Sequence, residues 1–484
     1  MARDFAFLSL TFLVLVGLAA CAAAAEPSGV HMANGIKIGE VTQQSAIIWT
    51  RLTIAPERNR DGFPFPDVDG GRNAGADLSI KKLTGGHPLP DMEGSAPGAP
   101  GQVRVLWWPE GAPDAPIDTG WRPVDPDADF TRQFPIEGLA PATQYLLRVE
   151  GRPSADASPT CSLDGRFRTP PEPDAAVPVD FVVVTCQDYP RRDNPDKGHE
   201  IYRVMKAIDP DFFVHTGDIE YYDKALPYAP HQALARFKWN RLYAMPYQRS
   251  FHCNVSSYFI KDDHDTLKND CWPGQHYGEL TWEQGLAIFR EQVPMGAQTY
   301  RTIRWGRDLQ IWLVEGRDFR SPNSMPDGPE KTIWGPEQKV WFKSTVSASD
   351  ATFRVLISPT PLVGPDRENK SDNHANHAFA HEGHELRSFI GAQRNMIVIN
   401  GDRHWQYASI DDETGLREFG TGPSSDEHAG GWSQDDVRPQ HRYLNLVGGF
   451  LRVTVTRVDG RARIRVRHCG IAGDVYNEVV IPAR

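Results

Sequence analysis

The chain has 484 residues, a length that predicts two domains, or one large domain with an appendage. Hydrophobic residues make up 40% of the chain and 42 residues are glycine, which excludes wholesale disorder and a collagen-like repeat. Because 63 acidic residues outweigh 52 basic ones and no basic stripe is present, the charge argues against binding to a nucleic-acid backbone.

The first segment, residues 1–25, has the features of an export signal. Phe5 to Ala25 form one apolar run behind a short region that contains Arg3. Leu18-Ala19-Ala20-Cys21 resembles a bacterial lipobox, which would place a diacylated Cys21 at the mature N-terminus, whereas cleavage within the alanine run would release a soluble protein. Both alternatives stay open. We expect an exported protein, either periplasmic, extracellular or a cell-surface lipoprotein whose membrane contact is a lipid anchor at Cys21.

Residues 29–170 are predicted to form a β-sandwich. The alternation in Ser45 to Arg51 and the Leu-x-Pro-x-Thr-x-Tyr corner that ends at Tyr145 resemble fibronectin-III-like strands. Pro64 to Gly101 has little periodicity, which predicts long surface loops rather than a further domain. The β-like runs that support this prediction include Gly35 to Arg51, Val103 to Trp108 and Gln144 to Gly151.

A proline-rich stretch predicts the domain boundary. Thr169 to Pro178 cannot form a helix or a central strand, because proline lacks a backbone donor and fixes φ, and we place the linker at residues 171–178. Residues 179–484 then alternate between apolar strands and a helix, which predicts an α/β domain with buried strands. The predicted elements are the strand Val179 to Thr185, the helix Glu200 to Ile208 and the strand Phe212 to His215.

Polar clusters with metal-ligand chemistry follow several apolar runs. Ligands of α/β sheets lie at the carboxyl ends of the strands, and adjacent carboxylates are costly to bury without a cation. Taken alone, Cys186 is explained as a small buried hydrophobe and Asp218 as a helix cap. Their joint occurrence with two further clusters favours a metal site. The clusters are Cys186-Gln187-Asp188, Gly217-Asp218-Ile219-Glu220-Tyr221, Asp262-Asp263-His264-Asp265 and Gly401-Asp402-Arg403-His404.

The order of these motifs resembles the PhoD-type alkaline phosphatases within the calcineurin-like metallophosphoesterase superfamily. The similarity extends from about Phe181 to Trp405, and the β-rich front resembles that family's N-terminal domain. It implies an α/β (α+β) fold in which a fibronectin-III-like β-sandwich precedes a two-sheet α/β/β/α metallophosphoesterase domain. The implied activity is hydrolysis of phosphate monoesters or diesters by a metal-bound hydroxide.

The resemblance also implies a ligand set for Fe3+. Cys186 matches a position where most of the superfamily has an Asp ligand, and Asp218 matches the carboxylate that bridges both metals. Tyr221 matches the tyrosine that binds ferric iron in purple acid phosphatases, and His404 matches the last ligand to that iron. Thiolate and phenolate are anionic donors that favour a trivalent ion.

The remaining implied ligands favour Ca2+. Asp263 stands where relatives have the Asn of a Gly-Asn-His motif, and Asp402 stands where they have a His. Carboxylate oxygens suit Ca2+ rather than Zn2+, so the residue types agree with an iron and calcium centre. Asp188 and Asp262 are further candidates for calcium ligands.

His264 matches the superfamily's histidine that does not bind metal. It is expected to face the leaving group and to donate a proton or a hydrogen bond to it, while Asp265 is expected to orient the imidazole. The segment with His374, His377, His381 and His384 is predicted to be a solvated lid rather than a metal loop. In an oxidising compartment, Cys253 could pair with Cys271 and Cys161 with Cys469, a question of geometry that the sequence leaves open.

Two alternative functions are compatible with the same motifs. A phospholipase-D-like or sulfate-ester activity would use the same metal site, since the metals recognise an oxyanion and not the leaving group. A surface protein that binds carbohydrate or protein without catalysis would keep the fold, but broken ligand motifs would then be expected, and all of the implied ligands are present.

Overall fold

The computed structural model describes residues 29–68, 75–224 and 226–484. The predicted export signal lies outside the described residues. The strands of the front region are β1 (Ile36–Gly39), β2 (Ser45–Arg51), β3 (Gln102–Pro109), β4 (Ile117–Asp118), β5 (Arg122–Pro123), β6 (Thr131–Glu137), β7 (Gln144–Arg152) and β8 (Cys161–Arg168).

The strands and helices after the linker alternate along most of the chain. The strands are β9 (Val179–Val184), β10 (Phe212–His215), β11 (Ser257–Phe259), β12 (His276–Tyr277), β13 (Leu280–Thr281), β14 (Arg301–Trp305), β15 (Leu309–Leu313), β16 (Phe353–Ser358), β17 (Met396–Asn400), β18 (Gln406–Ile410), β19 (Arg417–Thr421), β20 (His441–Asn445), β21 (Phe450–Val458), β22 (Arg461–Cys469) and β23 (Val475–Pro482). The α-helices, including a single turn in the front region, are α1 (Ile80–Leu83), α2 (Glu200–Ile208), α3 (Gln232–Tyr243), α4 (Pro246–His252), α5 (Trp282–Gln292), α6 (Gly335–Ala348) and α7 (Ala380–Gly391). Short 3-10 turns span Leu89–Asp91, Pro126–Ala128, Tyr189–Arg191, His377–Phe379 and Asp426–His428.

Two large sheets pack face to face and form the region after the linker, with strands of the front region added to one of them. One has nine strands in the order β23-β22-β21-β9-β10-β11-β1-β2-β6, and the other has seven in the order β14-β15-β16-β17-β19-β18-β20. Apolar side chains of both sheets share one core, in which Phe181 of β9 and Ile357 of β16 are fully buried. Helices α2 to α5 cover the outer face of the first sheet, and α6 and α7 cover that of the second. The predicted α/β/β/α architecture is confirmed.

The local sequence explains the central strands. Val182, Val183 and Val184 are β-branched residues with no solvent exposure, which suits a strand covered on both faces. β9, β10 and β11 are parallel, so their carboxyl ends meet at one edge of the sheet. The predictions for α2 and β10 are correct to the residue, whereas the run from Gly35 to Arg51 is divided into β1 and β2.

The front β-sandwich shares one of its sheets with the region after the linker. β3, β4, β5, β7 and β8 form a five-stranded sheet, while β1, β2 and β6 belong to the nine-stranded sheet. The two layers enclose a common core, for example between Ile48 and Val105. β1 pairs with β11 at Gly39 and Ser257. The proline-rich linker therefore divides the sequence into two regions, but strands from both regions pair in one sheet. Local sequence does not predict this pairing, because the partner of a strand can lie far away along the chain.

Three details of the front region and the thiols bear on the sequence predictions. The Tyr145 hydroxyl accepts a hydrogen bond from the Ala140 N–H at 2.8 Å, which is the expected corner. All five cysteines in the described part of the chain are free thiols, so neither anticipated disulfide is formed. None of the helices described here combines the length and the apolar character that crossing a membrane requires.

Candidate metal centre

Three of the predicted ligands lie just after buried strands, and the backbone of each of these residues is strained. Cys186, Asp218 and Asp402 have φ values of 49°, 53° and 65°. These values lie in the left-handed region, which residues other than glycine rarely adopt. Such a conformation costs about 1–3 kcal/mol and is frequent at functional sites. Neighbouring backbone holds two of these turns together, because the Cys186 N–H donates to the Gly217 carbonyl at 3.1 Å.

Two glycines allow the ligand loops to approach one another closely. Gly217 has a φ of +107°, and a Cβ at this position would lie 2.6 Å from the Asp262 Cβ. At Gly401, a Cβ would lie 2.3 Å from Thr216 Oγ1 and 2.5 Å from Thr185 Oγ1. A side chain at either position would be too close to its neighbours. Glycine therefore precedes Asp218 and Asp402 because the loops pack closely there, as well as because the chain turns.

One side of the cluster, which we call the iron side after the metal that the resemblance implies, consists of Cys186, Tyr221 and His404. The Cys186 thiol lies 3.4 Å from Asp218 Oδ2, and the Tyr221 hydroxyl donates to the same oxygen at 3.1 Å. Tyr221 Oη is also 3.3 Å from His404 Nε2. The ligand atoms of Cys186, Asp218 and His404 lie within 4.8 Å of one another. The structure thus brings the predicted iron ligands together around Asp218.

The protonation of the iron side depends on burial. Loss of solvent, followed by the charge of Asp218, raises the pKa of the Cys186 thiol and that of the Tyr221 phenol well above their usual values. Burial also lowers the pKa of His404, so the imidazole is neutral and able to bind a metal. A cation bound here would stabilise the thiolate and phenolate forms that burial disfavours.

The other side, the acid side, consists of Asp262, Asp263 and Asp402. Asp218 belongs to two further groups of potential ligands whose atoms lie within 4.8 Å of one another, with Asp263 and His264 and with Asp262 and Asp402. One carboxylate oxygen in each of Asp218 and Asp262 is buried without a hydrogen-bond partner. Buried carboxylate oxygens without a partner are costly, and oxygen donors of this kind fit a hard cation such as Ca2+.

Burial also governs the charge of these carboxyl groups. It raises the pKa of Asp402 to about 6, and it raises the pKa of Asp262 well above the ordinary value. For Asp218, the neighbouring Asp263 and Asp262 add to the effect of burial. Several carboxylates therefore destabilise one another in this cluster, and a bound cation would relieve that repulsion.

Two buried arginines supply positive charge on the acid side. Arg317 Nε donates to Asp262 Oδ1 at 2.6 Å, and Arg317 Nη2 lies 3.7 Å from Asp263 Oδ2. Arg403 Nη1 lies 2.8 Å from Asp402 Oδ2 without the alignment of a hydrogen bond. Because both guanidinium groups are almost completely buried, their charges act in a medium that screens them poorly.

The residue that orients His264 is Asp223, and the expectation for Asp265 is wrong. His264 Nδ1 lies 2.5 Å from Asp223 Oδ1. The Asp265 carboxylate instead accepts the backbone N–H groups of Ile219 at 3.0 Å and Asp262 at 2.7 Å. Asp265 therefore joins the second and third ligand loops, since its carboxylate is turned toward their backbone and not toward the adjacent imidazole.

The other predicted polar residues lie apart from the cluster or in its surroundings. Asp188 is nearly buried and lies 3.7 Å from Arg191. His374 is buried and its Nε2 lies 2.9 Å from Glu382 Oε2. The remaining three histidines of that segment are exposed, and within the described ranges no group of potential metal ligands includes any of the four. Trp334 and Trp405 are buried.

Sequence reasoning missed several residues around the cluster, among them Asp223, Lys224, Arg317 and His428. Asp223 and Lys224 directly follow the Tyr221-Tyr222 pair, and their charges close to a predicted ligand were the available signal. Arg317 lies in a further polar strand end, Glu315-Gly316-Arg317-Asp318 after β15. His428 has no local signal, yet its ring centroid is 4.1 Å from that of His404 and its Nδ1 is 3.1 Å from the Cys186 carbonyl oxygen.

A cavity of about 420 Å³ opens onto the cluster. Its wall combines predicted ligands with cationic side chains, an arrangement that suits an anionic substrate. The ligand side of the wall includes Asp218, Asp263, Asp402 and His404, together with His264. The cationic side chains are Arg191, Lys224, Arg367 and Lys370.

Solved structures with a similar fold span nearly the whole chain. The structure of PhoD is 18% identical, has a TM-score of 0.69 and covers 93% of this chain and 89% of its own. The purple acid phosphatase PPD1 from yellow lupin (Lupinus luteus) seeds is 12% identical, has a TM-score of 0.62 and covers 92% of this chain and 74% of its own. At these identities the similarity shows the fold. The comparison with curated proteins finds no match.

The two-sheet fold with a ligand cluster at its strand ends, together with a match to a phosphatase family model, defines the class of a metal-dependent phosphoester hydrolase. Sequence comparison agrees with this class, because the PhoD-like phosphatase family matches residues 181–448. The N-terminal domain of PhoD-like phosphatases matches residues 18–171. The chain belongs to the PhoD-like phosphatase family.

Proposed function

We propose that this protein is an exported phosphatase that hydrolyses phosphate monoesters or diesters at a centre of Fe3+ and Ca2+. The observation that carries the proposal is the position of Asp218, whose carboxylate is common to all three groups of potential ligands. One of its oxygens contacts the thiol and the phenol, and the other is buried without a partner. The proposed ligands are Cys186, Asp218, Tyr221, Asp263, Asp402 and His404.

The donor types support these two metals. A thiol and a phenol beside an imidazole favour a trivalent, strongly polarising ion, whereas a set of carboxylate oxygens favours Ca2+. When bound, such ions lower the pKa of a coordinated water and stabilise charge on a phosphoryl oxygen. The chain contributes the Asp218 carboxylate between the two sides, and Asp223 holds the His264 imidazole at the cavity.

Elemental analysis and chelation test the metals. We expect iron and calcium in the purified protein, loss of phosphatase activity in a calcium chelator, and recovery when Ca2+ is added back. Magnesium added at the same concentration is the control, since it prefers a stricter octahedral geometry. Absence of iron together with full activity of an Asp218→Asn variant would overturn the proposal.

A substrate panel tests the reaction. We expect hydrolysis of p-nitrophenyl phosphate, of bis-p-nitrophenyl phosphate or of both, and little hydrolysis of p-nitrophenyl sulfate. The three compounds release the same phenol, so differences in rate do not arise from the leaving group. Preferential hydrolysis of the sulfate would favour a sulfatase on the same fold, and choline release from phosphatidylcholine would favour the phospholipase-D-like alternative.

Export is the remaining part of the proposal, and it rests on the apolar run and small residues of the first segment. Expression of the full chain in a bacterial host, followed by fractionation and mass determination of the mature N-terminus, tests it. A diacylated Cys21 would indicate a lipoprotein, and an N-terminus within the alanine run would indicate a released protein. Retention of the full chain in the cytoplasm would contradict export.

A further inference from the structure

We propose that Lys224 is a further catalytic residue, whose ammonium group contacts the leaving-group oxygen of the phosphoester. This inference rests on the proposed phosphatase function. Lys224 lines the cavity of the metal centre together with His264 and His404. Its Nζ lies 2.8 Å from His264 Nε2 and 4.9 Å from the centroid of the Tyr221 ring.

The contacts of His264 determine which group can donate into the cavity. Asp223 Oδ1 is an acceptor 2.5 Å from Nδ1, so the imidazole carries its hydrogen on Nδ1. Lys224 Nζ lies 2.8 Å from Nε2, so both ring nitrogens of His264 are within hydrogen-bond distance of a neighbouring side chain. An ammonium group has three donors, so Lys224 retains N–H groups for a substrate oxygen beside its contact with the imidazole.

The position of Lys224 is held by the structure around it. Lys238 Nζ donates to the carbonyl oxygens of Lys224 and Pro227, both at 3.1 Å. Arg241 Nη2 donates to the Leu226 carbonyl at 3.0 Å. Lys238 and Arg241 are buried residues of α3, so a packed helix anchors the loop that carries Lys224. These bonds hold the backbone of the loop, and the contact with His264 Nε2 places the Lys224 side chain at the cavity.

The charge of Lys224 is available to a ligand. Lys370, on the same cavity, is paired with Asp270 and Asp372 at 3.0 and 3.1 Å. In the part of the chain that the structure describes, no such ion pair joins Lys224 to a carboxylate, and its close polar partner is His264. An ammonium that lacks a counter-ion beside a phosphatase centre suits an oxygen that becomes negative during the reaction.

The reaction predicts a specific signature for this contact. Negative charge develops on the ester oxygen as the phosphorus–oxygen bond breaks, and it is greatest when the departing alcohol is a weak acid. Donors aimed at a developing negative charge contribute roughly 10²–10³ in kcat. A residue that contacts the leaving oxygen therefore matters more for alkyl esters than for nitrophenyl esters, whereas a residue that binds the other phosphoryl oxygens affects both alike.

The test compares Lys224→Met, Lys224→Arg and Lys82→Met in the metal-loaded full chain. Lys82 is an exposed lysine of α1 and serves as the control. The measurement is kcat for a series of aryl and alkyl phosphate esters of the charge type that the wild type prefers. For Lys224→Met we expect a loss of about 10²–10³ with alkyl esters and of less than about tenfold with nitrophenyl esters. Lys224→Arg is expected to retain part of the activity, and Lys82→Met all of it.

The outcomes separate this inference from the proposed function. Equal losses across the ester series, or no loss at all, would overturn the role of Lys224 while leaving the phosphatase assignment intact. Absence of hydrolysis by the wild type and by Lys82→Met would overturn the proposed function, and this inference with it. Iron and calcium contents of the Lys224 variants equal to those of the wild type are expected, because the contact is with substrate. A matching loss of metal would instead assign Lys224 to the support of the centre and overturn the inference.

Discussion

The two sides of the metal centre balance their charge in different ways. On the iron side, Cys186 and Tyr221 contact Asp218, and burial disfavours their anionic forms. On the acid side, Asp262 and Asp402 lie against the buried guanidinium groups of Arg317 and Arg403. The comparison teaches that the first side depends on a metal ion to become anionic, whereas the protein itself supplies part of the positive charge on the second.

The largest effect is expected from Asp218→Asn, because this carboxylate belongs to both sides. Loss of its charge should weaken both metals and reduce kcat/KM by about 10³-fold or more, which corresponds to several kcal/mol. Kinetics and metal content of the same preparation measure it, with the exposed front-region change Asp156→Asn as the control. Loss of one metal alone would show that the two sides are independent.

Arg317→Met should mainly affect the acid side. Removal of a buried cation leaves Asp262 without its partner, and breaking a buried ion pair typically costs about 3–5 kcal/mol of unfolding free energy. Because a bound cation can replace the missing charge, we expect the deficit to shrink when Ca2+ is present. Denaturant unfolding with chelator and with Ca2+ measures the difference, and the exposed Arg307→Met is the matched control. An equal deficit in both conditions would contradict charge compensation.

Tyr221→Phe should mainly affect the iron side. A ferric phenolate absorbs visible light, so we expect loss of the colour at unchanged protein concentration and a fall in activity of about 10- to 100-fold, comparable to the loss of a group that tunes a metal site. Absorption spectra and iron content measure it. Tyr222→Phe is the matched control, since the Tyr222 hydroxyl accepts from the Trp239 indole 2.6 Å away. A wild type that is colourless when loaded with iron would argue against Tyr221 as a ligand.

The smallest effect is expected from His381→Gln, because His381 belongs to neither side of the metal centre. His381 is exposed on α7, and surface substitutions of this kind change stability by less than about 0.5 kcal/mol. Metal content, colour and kcat should equal those of the wild type in parallel assays. A loss of either metal would mean that the histidine segment reaches the centre in solution.

Much of the centre was predictable because its signals are local. An apolar run that ends in a glycine and an acid predicts a buried strand with a ligand at its carboxyl end, and Asp218 and Asp402 follow that pattern. Helix α2 was predicted correctly because its apolar residues repeat with helical spacing and a proline-containing segment follows. The prediction for Asp265 failed because adjacency in sequence does not determine which way a side chain points.

The sequence by itself determined the positions of the buried strands, the residue types at their ends and, through their order, the family. These properties depend on hydrophobic periodicity and on short motifs, which a single stretch of chain contains. Only the tertiary structure decided that β1 joins the catalytic sheet beside β11, that Asp223 holds His264, and that Arg317 faces Asp262. Each of these is a contact between residues distant in the chain, where burial makes the energy of a charge depend on neighbours that no local pattern specifies.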